Sequence, residues 1–340
     1  MSRKFWLGLL ISITFSYVAL RNVDLGLLLL SIKSISLPFI IPVVMLTVLF
    51  YLIRALRWFH LLEPIKKIGL SSLFSSTVIG FAANCILPAR LGEFIRADYI
   101  GRMEKISKSS SLATIVIERL FDIFTILLIL LFFILLTDFP SEWKSIGKAL
   151  RAGGFSFVVI FIVSILLLIG LKEKTQTFLN IAEKVLFFVP GKTKHKIVDI
   201  LKDFSKGLVL VKGPFQLFAV IFYSLALWCL TVFQIYILGL SMGMSLPFLA
   251  PFLILILLCF SVALPSAPGY IGTFHVACQY GLMFYGLSKE KALSMAIVLH
   301  AAGFIPTIIL GLLIFSLQHI SLRTLSNGKI SLRKEQDLET

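Results

Sequence analysis

Glu118 and Asp122 stand four residues apart in ERLFD, inside the apolar run Leu112–Leu136, with Arg119 beside Glu118. Helical spacing puts the two carboxylates on one face. At ~1.5 Å per residue Asp122 lies ~15 Å into that run, near the middle of a hydrocarbon core. Charges are costly at such depth, so they must face a polar cavity or meet basic groups from elsewhere in the chain. An ion-pair cluster that locks helices together and a charge-balancing or proton-coupling role in a cavity both fit. Two groups of bases are available. Arg54 and Arg57 are three apart in IRALRW, next to Trp58, and Arg90, Glu93 and Arg96 recur every three residues in ARLGEFIRA. If the chain turns helical after Pro88, these last three share a face, with Asn84 just before the kink. Guanidinium forks hold phosphate in a two-pronged manner, and a half-helix start adds bare N–H groups, so the chemistry on offer is anion binding. Snorkelling to the interface is the alternative for Arg54 and Arg57, which fall near the end of their apolar run.

A second polar break, PSAPGYIGTFH, gathers Pro265, Pro268, Gly269 and Gly272 within eight residues and ends at His275. So many breakers do not fit an unbroken span facing lipid; they suit backbone lining a cavity, or a loop capping the bundle. The two breaks resemble each other, ILPARLGEFIRA against ALPSAPGYIGTFH. Each is followed by a related segment, IVIERLFDIFTILL from Ile115 and IVLHAAGFIPTIIL from Ile297. A Pro/Gly-interrupted segment at the same place in both halves points to a repeat-built membrane carrier. HExxH, Walker A and metal-spaced His/Cys patterns do not occur. The five histidines are isolated, and the four cysteines are scattered singly through apolar stretches. No enzyme, metal or cofactor is expected.

The elements that must hold these residues are long apolar helices. The 340-residue chain is 58% hydrophobic and only 14% charged, with a mean hydropathy of +0.99, far from the composition of a soluble domain. The expected fold is an all-α polytopic membrane protein. Its full spans are Phe5–Leu20 (a retained signal anchor), Phe39–Leu62, Leu112–Leu136, Phe155–Leu171, Phe215–Leu238 and Ala292–Leu317. Between them, Leu70–Leu87 and Leu246–Leu264 are shorter and each ends at a break. If each piece enters and returns on the same side it came from, the basic loops at Lys66–Lys67, Arg90–Lys108 and Lys172–Lys212 and the tail all fall on the cytoplasmic side, as the positive-inside tendency asks. Arg21–Lys33, Asp138–Arg151, Gly239–Ser245 and Lys289–Lys291 then lie outside. Six spans and two re-entrant hairpins result, in one domain over 1–320. Its halves, 1–150 and 151–320, have opposite orientation, the inverted-repeat arrangement. The stretch 192–212 has the pattern of an amphipathic surface helix, and 321–340 is a polar, basic tail. The net charge of +15 suits loops facing anionic headgroups rather than nucleic acid.

Taken in order, RxxRW at Arg54–Trp58, NxxxPxRxGExxR at Asn84–Arg96, ERxxD at Glu118–Asp122 and PxxPGxxGxF at Pro265–Phe274 resemble the membrane region of lysylphosphatidylglycerol synthases, a flippase-like family with many stand-alone members. The resemblance covers Phe5 to Leu317. It implies lipid translocation without the soluble domain that makes the aminoacyl lipid. The position after GTF is commonly acidic in that family and is His275 here, which weakens the case for a cationic headgroup. The expected function is flipping or scrambling of a phospholipid or polyprenyl-phosphate-linked lipid in the plasma membrane, with both termini cytoplasmic. Arg54, Arg57, Arg90 and Arg96 would meet the phosphate, Glu118 and Asp122 would balance charge, and Asn84, Glu93, Arg119, Pro265, Pro268, Gly269, Gly272 and His275 would complete the site. A small-anion carrier and an integral-membrane enzyme or accessory subunit of lipid or glycan assembly remain rival readings, and homo-oligomerisation is left open.

Overall fold

A computed structural model describes residues 3–34, 36–87, 90–137, 213–264 and 266–317, with scattered positions between 145 and 199. The described residues are helical, without strands. We number the helices α1 (Arg3–Leu20), α2 (Leu25–Lys33), α3 (Ile40–Leu62), α4 (Leu70–Ile86), α5 (Gly92–Met103), α6 (Lys108–Leu136), α7 (Pro214–Ser241), α8 (Ala250–Ala263), α9 (Thr273–Met283) and α10 (Lys289–Leu317). The expected span 155–171, the amphipathic stretch 192–212, the tail 321–340, and Pro88 and Pro265 lie outside the described residues.

Four helices, α3, α6, α7 and α10, are long and apolar enough to cross a membrane, and a fifth crossing is available if α1 and α2, bent by 88°, count as one. Their outer faces carry exposed apolar side chains such as Met45, Leu135, Phe218 and Leu312, the reverse of a soluble helix and the pattern a lipid solvent requires. α6 runs 29 residues because Leu112–Leu136 contains neither Gly nor Pro. Inside, Trp58, Leu62, Leu73, Ile100 and Ile117 pack α3, α4, α5 and α6 together. Val43, Ile254, Cys278 and Met295 do the same for α3, α8, α9 and α10. Side-chain hydrogen bonds join helices where packing alone would not fix register. Gln234 Nε2 donates to Thr47 Oγ1 at 2.9 Å, and the Tyr51 and Thr307 hydroxyls are 2.7 Å apart.

Residues 21–33, expected outside, are not all loop, for Leu25–Lys33 forms α2. Asp24 is the reason: its Oδ1 accepts the Gly26 and Leu27 amides at 2.7 and 3.1 Å, capping a run of leucines that favour helix.

The two short apolar pieces form helical hairpins. Ser76 Oγ donates to the Arg96 carbonyl at 3.0 Å, and a Cβ at Gly92 would lie 1.9 Å from the Gly80 carbonyl oxygen. α4 and α5 are therefore antiparallel and nearly in backbone contact, which only paired glycines allow. α8 and α9 pair likewise, Gly281 lying against Ile254 and Leu257. Seventeen residues in α4 and fourteen in α8 give lengths of ~25 and ~21 Å, short of a ~30 Å hydrocarbon core. The order long helix, hairpin, long helix thus occurs twice, as α3–α4/α5–α6 and as α7–α8/α9–α10.

Candidate functional site

The acids and bases singled out from the sequence come together on α3, α5 and α6. Arg54 and Arg57 leave one face of α3 towards the face of α6 that carries Glu118 and Asp122. Glu118 Oε1 accepts from Arg57 Nη2 at 2.8 Å and Arg54 Nη1 at 3.2 Å, and its Oε2 accepts from Arg96 Nη1 at 2.8 Å. Asp122 accepts from Arg57 at 2.8 Å, Arg54 at 3.3 Å and Arg119 at 3.2 Å. Arg57 also donates to Ser224 Oγ on α7 at 3.0 Å. Glu118, Arg57, Arg96 and Arg54 are at most 2% exposed. The arginines are further held by aromatic faces. Arg96 lies 3.7 Å from the centre of the Trp58 ring, and Arg54 lies 4.8 Å from those of Phe50 and Phe81. Such contacts stabilise a desolvated cation. Trp58 is fixed in turn by its Nε1–H, which donates to Thr114 Oγ1 at 2.9 Å.

This settles where Arg54 and Arg57 sit. They are buried against α6 rather than snorkelling, because the carboxylates they meet lie within the bundle. Arg119 and Glu93 form the edge of the cluster, 3.4 Å apart and both partly exposed. Several guanidinium N–H groups remain without a protein acceptor: Nε of Arg54, Arg57, Arg96 and Arg119, and Nη2 of Arg96.

The expected common face of Arg90, Glu93 and Arg96 does not form. α5 starts at Gly92, so Arg90 precedes the helix, with a left-handed backbone at φ 53°. Asn84 sets that start, its Oδ1 accepting the Gly92 N–H at 2.7 Å. Arg90 instead crosses to the other hairpin. Its Nη2 donates to the Val262 carbonyl at 3.0 Å, near the end of α8, and its guanidinium lies over Tyr270 at 5.9 Å. A cation suits that carbonyl end. Gly269 completes the junction, a Cβ there falling 3.4 Å from the Cys85 carbonyl oxygen. The tips of the two hairpins therefore touch, and Arg90 bridges them.

In the second break Pro268, Gly269 and Tyr270 make a single 3₁₀ turn. Gly269 and Gly272 have φ of +73° and +89°, a region in which a side chain is strained. Gly272 is also wedged against α1, where a Cβ would meet the Ser12 carbonyl oxygen at 2.5 Å. His275 does not reach the arginine cluster. It faces His300 on α10, with ring centroids 4.9 Å apart. Sequence reasoning treated His300 as isolated and passed over Ser224 and Thr114. The signal for His300 was present, since IVLH at 297–300 matches IVIE at 115–118. For Ser224, within a run of apolar residues, no local pattern marks the contact.

Residues 5–311 match the family model described as the lysylphosphatidylglycerol synthase TM region. A UPF0104 membrane protein of Methanocaldococcus jannaschii is 26% identical over 233 residues, covering 68% of this chain and 92% of the relative. A second from the same organism is 21% identical over 315 residues, covering 89% and 91%. One from Methanothermobacter thermautotrophicus is 24% identical over 280 residues, covering 77% and 81%. No solved structure matches significantly.

Proposed function

Because this chain belongs to the family of lysylphosphatidylglycerol synthase membrane regions, we propose that it translocates an amphipathic lipid with a phosphate-bearing headgroup between the leaflets of the plasma membrane. The observation that carries this reading is a charge imbalance around the first hairpin. Arg54, Arg57, Arg90, Arg96 and Arg119 stand against Glu93, Glu118 and Asp122. Two positive charges thus have no carboxylate counterpart among the described residues, in a setting where unmatched charge is costly. A phosphate diester or monoester would supply the missing charge and take up guanidinium N–H groups that now lack acceptors.

Arg90 and Arg119 are the accessible members and would receive the headgroup first. Arg54, Arg57 and Arg96 would hold the field behind them, and Glu118 and Asp122 would keep that field from trapping the anion. The touching hairpin tips would form the passage, with acyl chains remaining in lipid along the outer faces. In this reading both hairpins are re-entrant from opposite sides, the two halves form an inverted repeat, and both termini are cytoplasmic.

Reconstitution tests it. The chain is placed in phosphatidylcholine vesicles with a fluorescent phosphatidylglycerol analogue, and an impermeant reductant reports how much label reaches the outer leaflet. Label bleached beyond the outer-leaflet fraction, with Arg90→Ala restoring the protein-free level, supports the proposal. No movement of the analogue, together with counterflow of inorganic phosphate, would instead favour a carrier of soluble anions.

A further inference from the structure

His275 and His300 take no part in the arginine cluster, yet they hold the corresponding place in the second half. The α5–α6 contact is made by Arg96 and Glu118; the α9–α10 contact includes His275 and His300. Matching IVIE at 115–118 with IVLH at 297–300 sets His300 on Glu118, and matching GEFIR with GTFHV sets His275 one residue before Arg96. A fixed ion pair in one half is answered by two titratable rings in the other.

Their partners define their protonation. His300 Nε2 is 2.8 Å from the Gly269 carbonyl oxygen, which can only accept, so that nitrogen carries hydrogen. His275 Nδ1 is 3.4 Å from the Gly272 amide nitrogen, which can only donate, so Nδ1 is bare and the ring is neutral. Among the described residues no carboxylate contacts either ring. Phe304 stacks on His300 at 4.0 Å, Phe274 stands edge-on to both rings, and Tyr270 meets Phe304. From α4 comes the Cys85 carbonyl near Gly269, and from α1 come Ser12 and Ser16 at Gly272. Among the described residues a fixed charge on this side comes from Arg90, over Tyr270. His300 is the titratable group acting on His275, and two imidazolium ions this close would repel, so the pair takes one proton at a time.

A proton on His275 Nδ1 would turn the acceptor of the Gly272 amide into a second donor. The contact that starts α9 must then break. Gly272 is also where the break seats on α1, and the neighbouring Ala267 amide donates to Ser12 Oγ at 2.8 Å. We propose that the His275–His300 pair is a proton-binding site whose protonation releases the second hairpin tip from α1. On the translocation reading above, lipid movement is then proton-linked.

The test uses full-length protein with its four cysteines replaced and one cysteine introduced at Ser16, beside Gly272, or at exposed Ser34 as a reference for reagent chemistry. The labelling ratio of position 16 to position 34 should rise as pH falls from about 7 to about 4, below the ordinary range of an imidazole because burial disfavours the charged ring, and by no more than about tenfold per pH unit for one proton. His275→Gln retains an acceptor for the Gly272 amide but does not titrate, and should hold the low ratio throughout. His275→Lys carries a fixed charge and should hold the high ratio throughout, which keeps the test alive if the glutamine variant does not fold. A flat wild-type ratio, or variants that follow the wild-type profile, would overturn the proposal. The ratio is read without any lipid, so failure of the fluorescent phosphatidylglycerol analogue to move at any pH would sink the translocation reading and leave the proton site standing.

Discussion

Arg57 and Glu118 meet across the α3–α6 interface at 2.8 Å, with neither side chain in contact with solvent. Each also serves other partners, Arg57 through Asp122 and Ser224, Glu118 through Arg54 and Arg96. The pair is a node of a network, and removing one member strands several groups at once.

Glu118→Gln should therefore be the most damaging single neutralisation in the cluster. It leaves three buried guanidinium groups facing a neutral amide, and breaking a buried pair of this kind costs about 3–5 kcal/mol. Thermal unfolding in detergent should show a larger fall for Glu118→Gln than for Arg119→Gln, whose side chain is partly exposed. Equal shifts would mean that the network is not coupled through Glu118.

Arg90→Lys should separate binding from stability. Arg90 is exposed and makes one backbone hydrogen bond, so expression and unfolding temperature should stay near wild type. Lysine keeps the charge but not the planar fork, and movement of the phosphatidylglycerol analogue should fall, with Ala lower still. Arg96→Lys should behave differently and lose stability, because its stacking on Trp58 and its bond to Glu118 both depend on the guanidinium plane. Full activity in both lysine variants would remove these residues from a phosphate site.

Much of this site was legible in the chain, and the parts that were not share one cause. Two acids four residues apart in an apolar run demanded either a polar cavity or basic partners, whatever the fold. The Pro/Gly clusters likewise announced both breaks. Which bases answered was not local information, since Arg54 and Glu118 are 64 residues apart. Arg54 and Arg57 near the end of an apolar run look like snorkelling residues until α6 is known to lie against them. Arg90 was assigned to a helical face on its spacing from Glu93 and Arg96, but Asn84 and the Gly80–Gly92 contact start the helix two residues later. Asp24 was legible too, since a lone acid before a leucine run is an N-cap signal.

Gly92→Ala should disrupt the first hairpin outright. Its methyl would sit 1.9 Å from the Gly80 carbonyl oxygen and 2.5 Å from Asn84 Oδ1, and backbone cannot yield as a side-chain tip can. A loss of several kcal/mol, above the ~1–3 usual for overpacking, is expected in the same unfolding assay. Asn84→Ala should cost less, about 1–3 kcal/mol for the unsatisfied Gly92 amide, and Asn84→Asp should restore most of it. Tolerance of Gly92→Ala would contradict the close α4–α5 approach.

The orientation assigned to the two halves makes opposite demands on two loops. Cysteines at Lys105, before α6, and at Lys289, where α10 begins, should label from opposite sides of the membrane, Lys105 from the cytoplasm and Lys289 from outside. Labelling of both from one side would end the inverted-repeat reading.

Trp58 gives the protein an optical gauge of its own. An indole that is fully buried, hydrogen-bonded to Thr114 and covered by a guanidinium at 3.7 Å has emission that depends on whether that cation stays in place. Any event that draws Arg96 away from Glu118, whether an arriving anion or a tilting hairpin, alters the electric field across the ring before it alters the packing. Substituting Trp6, Trp143 and Trp228 by phenylalanine would leave Trp58 as the sole emitter, so that the state of the buried cluster could be read by wavelength in unlabelled protein, in real time and without a transport assay.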